Sequence, residues 1–120
     1  MYLVCYGTRP ELLKLIPLIN KMKEHKINMK VLFSGQHKDL INNFKDLVYT
    51  DIILEDVMVH NQTLNKLVSK ILIKMDDIFE KYDISNIIIQ GDTSTAYGIA
   101  LSGFHHKKKI IHIEAGLRTN

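Results

Sequence analysis

A single cysteine and two prolines occur in 120 residues, and several other features are missing altogether. Cys5 alone cannot close an internal disulfide, and its place inside the first apolar run points to a buried thiol rather than a nucleophile. No linker, repeat or low-complexity stretch divides the chain, so its length reads as one domain. A net charge of +3 with histidine neutral, carried on dispersed lysines, is too slight to build a nucleic-acid surface, although small anions remain plausible ligands. No apolar run approaches the roughly 18 residues of a membrane span. The N-terminus MYLVCYGTRPE has neither the basic region nor the cleavage site of a secretory leader, so a cytoplasmic protein is expected. The six histidines share no face and show no HExxH spacing, which gives no case for a metal site. His25 and His60 look incidental.

What is present is an alternating series of short apolar runs and amphipathic stretches, with 46% hydrophobic residues to build a core. Asn86 to Thr95 (NIIIQGDTST) is the most informative segment: three isoleucines between polar flanks predict a strand buried on both faces, as in a parallel sheet covered by helices. Asp92 then stands at the strand's carboxyl end, the rim where open α/β sheets bind ligands. Ile110 to Asn120 (IIHIEAGLRTN) repeats the pattern, with Glu114 and Arg118 just past the apolar part. If the two strands are neighbours, their axes lie about 4.8 Å apart and both carboxylates face one cleft.

The remaining elements follow in order. Met1 to Tyr6 is a strand, broken at Gly7-Thr8-Arg9 before Pro10, a residue suited to the first helical position. Leu12, Leu15, Ile16, Ile19 and Met22 recur at helical spacing, with Pro17 expected to kink the helix. Met29 to Ser34 is a second strand, and Leu40, Ile41, Phe44 and Leu47 predict a short helix after it. Ile52 to Leu54 is a weak third strand. From Thr63, a stripe running from Leu64 through Leu67, Ile71 and Met75 to Tyr82 predicts about five helical turns. Ala96 to Phe104 predicts a helix with small residues that lies close against the sheet, ended by the basic run His105 to Lys109. Right-handed crossovers assemble such a series into a doubly wound three-layer α/β sheet. The last strand has no helix after it, so the chain is expected to be the front part of something longer, or to be covered by a partner.

Each chemistry-bearing residue has a plain structural alternative. Arg9 at a strand-to-helix turn combines a guanidinium with helix N–H groups and favours a phosphate, with Lys14 one turn later adding charge; otherwise the turn is a well-made one with a solvated arginine. Neither GxGxxG nor GxxxxGK[ST] occurs. Asp92 before Thr-Ser-Thr is also what a helix N-cap looks like, and on that tetrapeptide alone capping is the simpler reading. Glu114, a carboxylate at the end of a buried strand, needs a reason to be there, whether chemical or a pair with Arg118. His112 is either a hydrogen-bonded core histidine or a rim residue. Gln36 and His37 sit on the loop after the second strand, at the same edge of the sheet. His105, His106 and the lysines after them read as a solvated helix end.

Taken together, GTRPE at 7–11, GQH at 35–37, QGDT at 90–93 and HIEAGLRT at 112–119 resemble the non-hydrolysing UDP-N-acetylglucosamine 2-epimerases, over the whole chain and in the family's order. The resemblance implies a Rossmann-like domain, the N-terminal half of a two-domain glycosyltransferase-B type fold. Residues 1–120 would form most of that first domain, and the second would lie outside the chain. It implies interconversion of UDP-N-acetylglucosamine and UDP-N-acetylmannosamine by elimination and re-addition of UDP, with no redox cofactor. Asp92 and Glu114 would take the acid–base positions, with the order of their roles open, and Arg9 and Lys14 would contact UDP. Gln36 and His37 would line a second, activating UDP-sugar site. A homodimer in the cytoplasm, working for cell-surface polysaccharide, is the implied setting, and the 120 residues alone are expected to be inactive or nearly so.

Three other classes compete. A hydrolysing 2-epimerase, or another nucleotide-sugar enzyme of the same architecture such as a glycosyltransferase, would differ in its products. A phospho-receiver domain matches the length but needs an acidic pair after its first strand, where this chain has Tyr6-Gly7-Thr8-Arg9. A non-catalytic truncated domain would keep the fold without turnover.

Overall fold

Alternate residues of the first strand, Leu3 and Cys5 against Val4 and Tyr6, enter two different hydrophobic clusters, as they must when a strand is covered on both faces. A computed structural model describes residues 1–35, 37–57, 59 and 61–113. Their elements run β1 (Tyr2–Tyr6), α1 (Arg9–Glu24), β2 (Met29–Phe33), α2 (Asp39–Asn43), β3 (Ile52–Ile53), α3 (Leu64–Lys81), β4 (Asn86–Gln90), α4 (Ser94–His105) and β5 (Lys109–Ile113). The strands form one sheet in the order β3-β2-β1-β4-β5, with every pair parallel. This is the expected doubly wound, Rossmann-like α/β sheet. β4 and β5 are neighbours, with Gln90 opposite Ile113.

One face of the sheet presents Leu3, Leu32, Ile87 and Ile89 to Leu67, Ile71 and Met75 of α3 and to Ala96 and Ile99 of α4. The opposite face presents Val4, Tyr6, Val31, Phe33 and Ile88 to Leu12, Leu15, Ile19 and Met22 of α1. The three consecutive isoleucines are therefore divided between the two layers, and all three are buried. α4 comes close to the sheet, as its small residues predict: a methyl group at Gly103 would stand 2.5 Å from Ile87 Cδ1.

Several local expectations are corrected. α2 is a single five-residue turn of helix, and Leu47 lies beyond it, exposed. Arg9 rather than Pro10 is the first helical residue of α1, and α1 continues through Pro17 to Glu24. Leu64 opens α3 but is exposed rather than part of its buried face. His106 is not simply a solvated helix end: it is the C-cap of α4, bonds Asp76 Oδ1 on α3 at 2.6 Å and rests against the Phe79 ring. Among the described residues no helix is long and apolar enough to cross a membrane.

Candidate active site

The sheet opens at one place along its carboxyl edge. β1 stays paired with β2 as far as Tyr6 opposite Phe33, and β4 with β5 as far as Gln90 opposite Ile113, yet the β1–β4 register ends at Val4 opposite Ile88. β1 and β4 are central neighbours whose helices, α1 and α4, leave toward opposite faces. In doubly wound sheets that switch point is where a crevice forms and ligands bind.

The turn after β1 forms one wall. Thr8 has extended backbone (φ −134°, ψ 163°), and its hydroxyl accepts from the Glu11 amide at 3.4 Å, so it caps α1 and leaves Arg9 exposed in the first turn. The guanidinium lies 5.4 Å from the centre of the Phe44 ring, which orients it without consuming its charge. Gly7, Thr8, Arg9 and His37 line a cavity of about 340 Å³ together with Asp39, Leu40 and Asn43. The turns after β1 and β2 are pressed together there, since a Cβ at Gly35 would fall 2.1 Å from the Gly7 carbonyl oxygen. Arg9 and His37 therefore line one cavity at the edge they share. Lys14 is exposed on α1 and does not line this cavity.

The turn after β4 forms the other wall, and here capping falls to a different residue. Thr93, not Asp92, is the N-cap of α4: its backbone is extended (φ −68°, ψ 161°) and its hydroxyl accepts from the Ala96 amide at 3.2 Å. Gly91 makes this possible by adopting φ +79°, a conformation other residues rarely take. Asp92 is left exposed, with no hydrogen-bond partner among the described residues. It borders a second, mostly apolar cavity of about 270 Å³ with Ile89, Gly91, Tyr97, Ala100, Ile110 and His112. His112 is exposed rather than a core histidine, and its Nε2 bonds the Gly91 carbonyl oxygen. Arg9 and Asp92 thus line separate cavities of the same rim. Glu114, Arg118 and Gln36 lie outside the described residues.

One functional candidate was missed by sequence reasoning. Glu11 is 5% exposed, and its carboxylate accepts from the Gly7 amide at 2.7 Å and from the Thr93 hydroxyl at 2.9 Å. The available signal was the capping-box spacing Thr8-x-x-Glu11. Cys5 is buried, and burial first, with the nearby Glu11 charge second, pushes its thiol far above the ordinary value. It is therefore no nucleophile. No group of three or more histidine, cysteine or acidic residues able to hold a metal occurs among the described residues.

The fold and its rim define an open, doubly wound α/β domain with a cation on the turn after β1 and, in a separate cavity, an exposed carboxylate on the turn after β4. Residues 20–120 match the family model described as UDP-N-acetylglucosamine 2-epimerase, and the chain belongs to that family. It is 36% identical to a UDP-N-acetylglucosamine 2-epimerase of Campylobacter jejuni and 35% identical to one of Salmonella borreze, each match covering 98% of this chain and 31% or 32% of the relative. A crystal structure of the Neisseria meningitidis UDP-GlcNAc 2-epimerase bound to UDP-GlcNAc superposes with a TM-score of 0.88 at 32% identity, over 98% of this chain and 33% of that one. The Methanocaldococcus jannaschii enzyme in complex with UDP-GlcNAc and UDP gives a TM-score of 0.85 at 29% identity, with the same coverage. The chain spans about a third of the length of these relatives.

Proposed function

We propose that this chain supplies the first-domain wall of a cytoplasmic, homodimeric UDP-N-acetylglucosamine 2-epimerase whose second domain closes over the crevice, in the manner of a glycosyltransferase-B fold. The observation that carries the reading is the site's position: an arginine and an exposed aspartate stand on the two turns either side of the switch point, in a chain whose family acts on UDP-N-acetylglucosamine by name.

The chemistry explains why those residue types are needed. The hydrogen on C2 of the sugar is not acidic, so inversion there proceeds by elimination. A base takes the C2 proton, the C1–O bond to UDP breaks, and a C1–C2 double bond forms. UDP then adds back to C1 while a proton is delivered to the other face of C2. Two carboxylates serve as proton acceptor and donor, and cations stabilise the departing diphosphate. Asp92 and Glu114 take the first role, Arg9 and Lys14 the second, and no redox cofactor is involved. Gln36 and His37 contribute to a second UDP-sugar site beside the first. The product feeds cell-surface polysaccharide.

Solvent exchange tests the proposal. In D₂O, an enzyme containing this chain and its second domain is expected to convert UDP-N-acetylglucosamine to UDP-N-acetylmannosamine with deuterium at C2 in both sugars, read by proton NMR. Epimerisation that retains the original C2 hydrogen would overturn the elimination route, and release of free N-acetylmannosamine with UDP would assign the chain to the hydrolysing branch instead.

A further inference from the structure

We propose that Glu11 is a positioning residue: its buried carboxylate spans the opening between β1 and β4 and holds the turn that carries Arg9 in register with the turn that carries Asp92. The proposal rests on the functional reading above only in naming those two side chains; the mechanical tie stands on geometry alone.

The opening needs such a tie. Past Val4 and Ile88 the β1–β4 register ends, while each strand stays paired with its other neighbour. Beyond that point strand pairing no longer holds the two walls in register, and what joins them is contact between their turns, with Gly7 packed close to Thr95. Glu11 sits in the first turn of α1 and reaches both: Oε1 takes the Gly7 amide of one wall, and Oε2 takes the Thr93 hydroxyl of the other, 82 positions away in sequence. Thr93 passes the constraint on, because the same oxygen caps α4 through the Ala96 amide and lies 3.1 Å from Thr95 Oγ1. Asp92 is the residue immediately before it. A carboxylate suits the place because it accepts only, so both donors are satisfied and the Thr93 proton points toward Glu11, leaving its lone pairs for α4. The N-terminal turn of α1 favours a negative charge there and offsets part of the cost of burying it.

An ordinary capping box would turn Glu11 back on the Thr8 amide; here it takes the Gly7 amide, one residue earlier, and the Thr93 hydroxyl, and whether it serves only its own turn or ties both walls is testable on the 120-residue chain without substrate. Amide hydrogen exchange is followed at Gly7 and at Ala96, one reporter on each wall. Glu11→Leu is expected to speed exchange at both by roughly tenfold or more. Glu11→Gln can still accept from Gly7 and donate to Thr93, so it should keep both within about threefold of the parent. Acceleration at Gly7 alone, with Ala96 unchanged, would mean that Glu11 serves only its own turn and would overturn the tie. Should Glu11→Leu lose the dispersed amide spectrum of a folded chain, Thr93→Asp replaces it: aspartate still caps α4 but offers Glu11 no donor. Gly7 should then exchange several-fold faster, and an unchanged rate would again sink the proposal. In the complete enzyme, Glu11→Leu is expected to lower kcat by roughly ten- to a hundredfold while KM changes less than about threefold, with Glu11→Gln restoring most of the rate. Unaltered kcat in Glu11→Leu beside an inactive Asp92 variant would reject the tie and spare the epimerase reading. Coupled exchange without any epimerisation would do the reverse.

Discussion

Thr93 takes the capping position on α4, and the consequence for Asp92 is chemical. A carboxylate tied to three helix amides would be a poor proton acceptor; one left exposed beside an open cavity is available to a substrate. In the complete enzyme, Asp92→Asn and Glu114→Gln are each expected to lower kcat about a hundredfold or more with unchanged thermal unfolding, measured by turnover of UDP-N-acetylglucosamine. Near-normal turnover in both would remove the acid–base assignment. Two other side chains set an alkaline limit on stability. Burial raises the Cys5 thiol from its ordinary 9.0 and the Tyr6 phenol from its ordinary 10.0, the latter partly countered by its hydrogen bond to Thr50. Both groups hold their protons more tightly folded than unfolded, so their stabilising contribution is intact below pH 9 and is lost as pH rises beyond it. The urea midpoint should therefore fall above pH 9, and Cys5→Ala, though less stable throughout, should show a shallower decline.

At the scale of elements, α3 and α4 illustrate which interactions hold the layer together. His106 and Asp76 bond across them, but with side chains 35% and 68% exposed the pair sits in water. Ile71 is fully buried where Gly98 lets α4 approach it. Asp76→Ala is accordingly expected to cost at most about 1 kcal/mol, and Ile71→Ala about 2–5 kcal/mol, by urea denaturation. Sequence patterns located these helices well, because a long apolar stripe and a run of small residues are local signals. The strands were equally legible, since Ile87 to Ile89 have few places to go except a doubly covered sheet. β3 keeps only two paired residues, in line with its weak run. The misreadings at Glu11, His106 and the α4 cap share a physical cause: each depended on contacts distant in sequence or on a choice between adjacent polar residues. Whether Asp92 or Thr93 caps α4 turns on which backbone is extended, and the chain around Gly91 decides that. His106 needed its partner on α3, and the second bond of Glu11 needed the fold itself. Arg9 and Asp92 could be placed on the rim in advance because the turns that follow parallel strands all fall at the sheet's carboxyl edge.

For the whole molecule, the crevice has walls from this chain and, on the proposed reading, a roof from a second domain. An open rim leaves the sugar diphosphate in bulk water, where charge contacts are weak and the eliminated intermediate is unprotected. The purified 120-residue chain should therefore give no measurable deuterium incorporation at C2 under conditions where the complete enzyme does, and detectable epimerisation by it would show that the roof is dispensable.

The position of β1 carries one more consequence, for the order in which the protein is made. The strand at the middle of the sheet is synthesised before the other four, yet one of its two partners is β4, and the Ser85 amide donates to the Met1 carbonyl. At about 5–20 residues per second, the ribosome needs several seconds or more to supply that partner. Until then β1 can pair only with β2, leaving an apolar edge unfilled. The nascent β1–β2 pair must be kept from competing associations for that interval, so slow stretches of translation before residue 86 are expected to lower the yield of folded chain more than equal pauses after it.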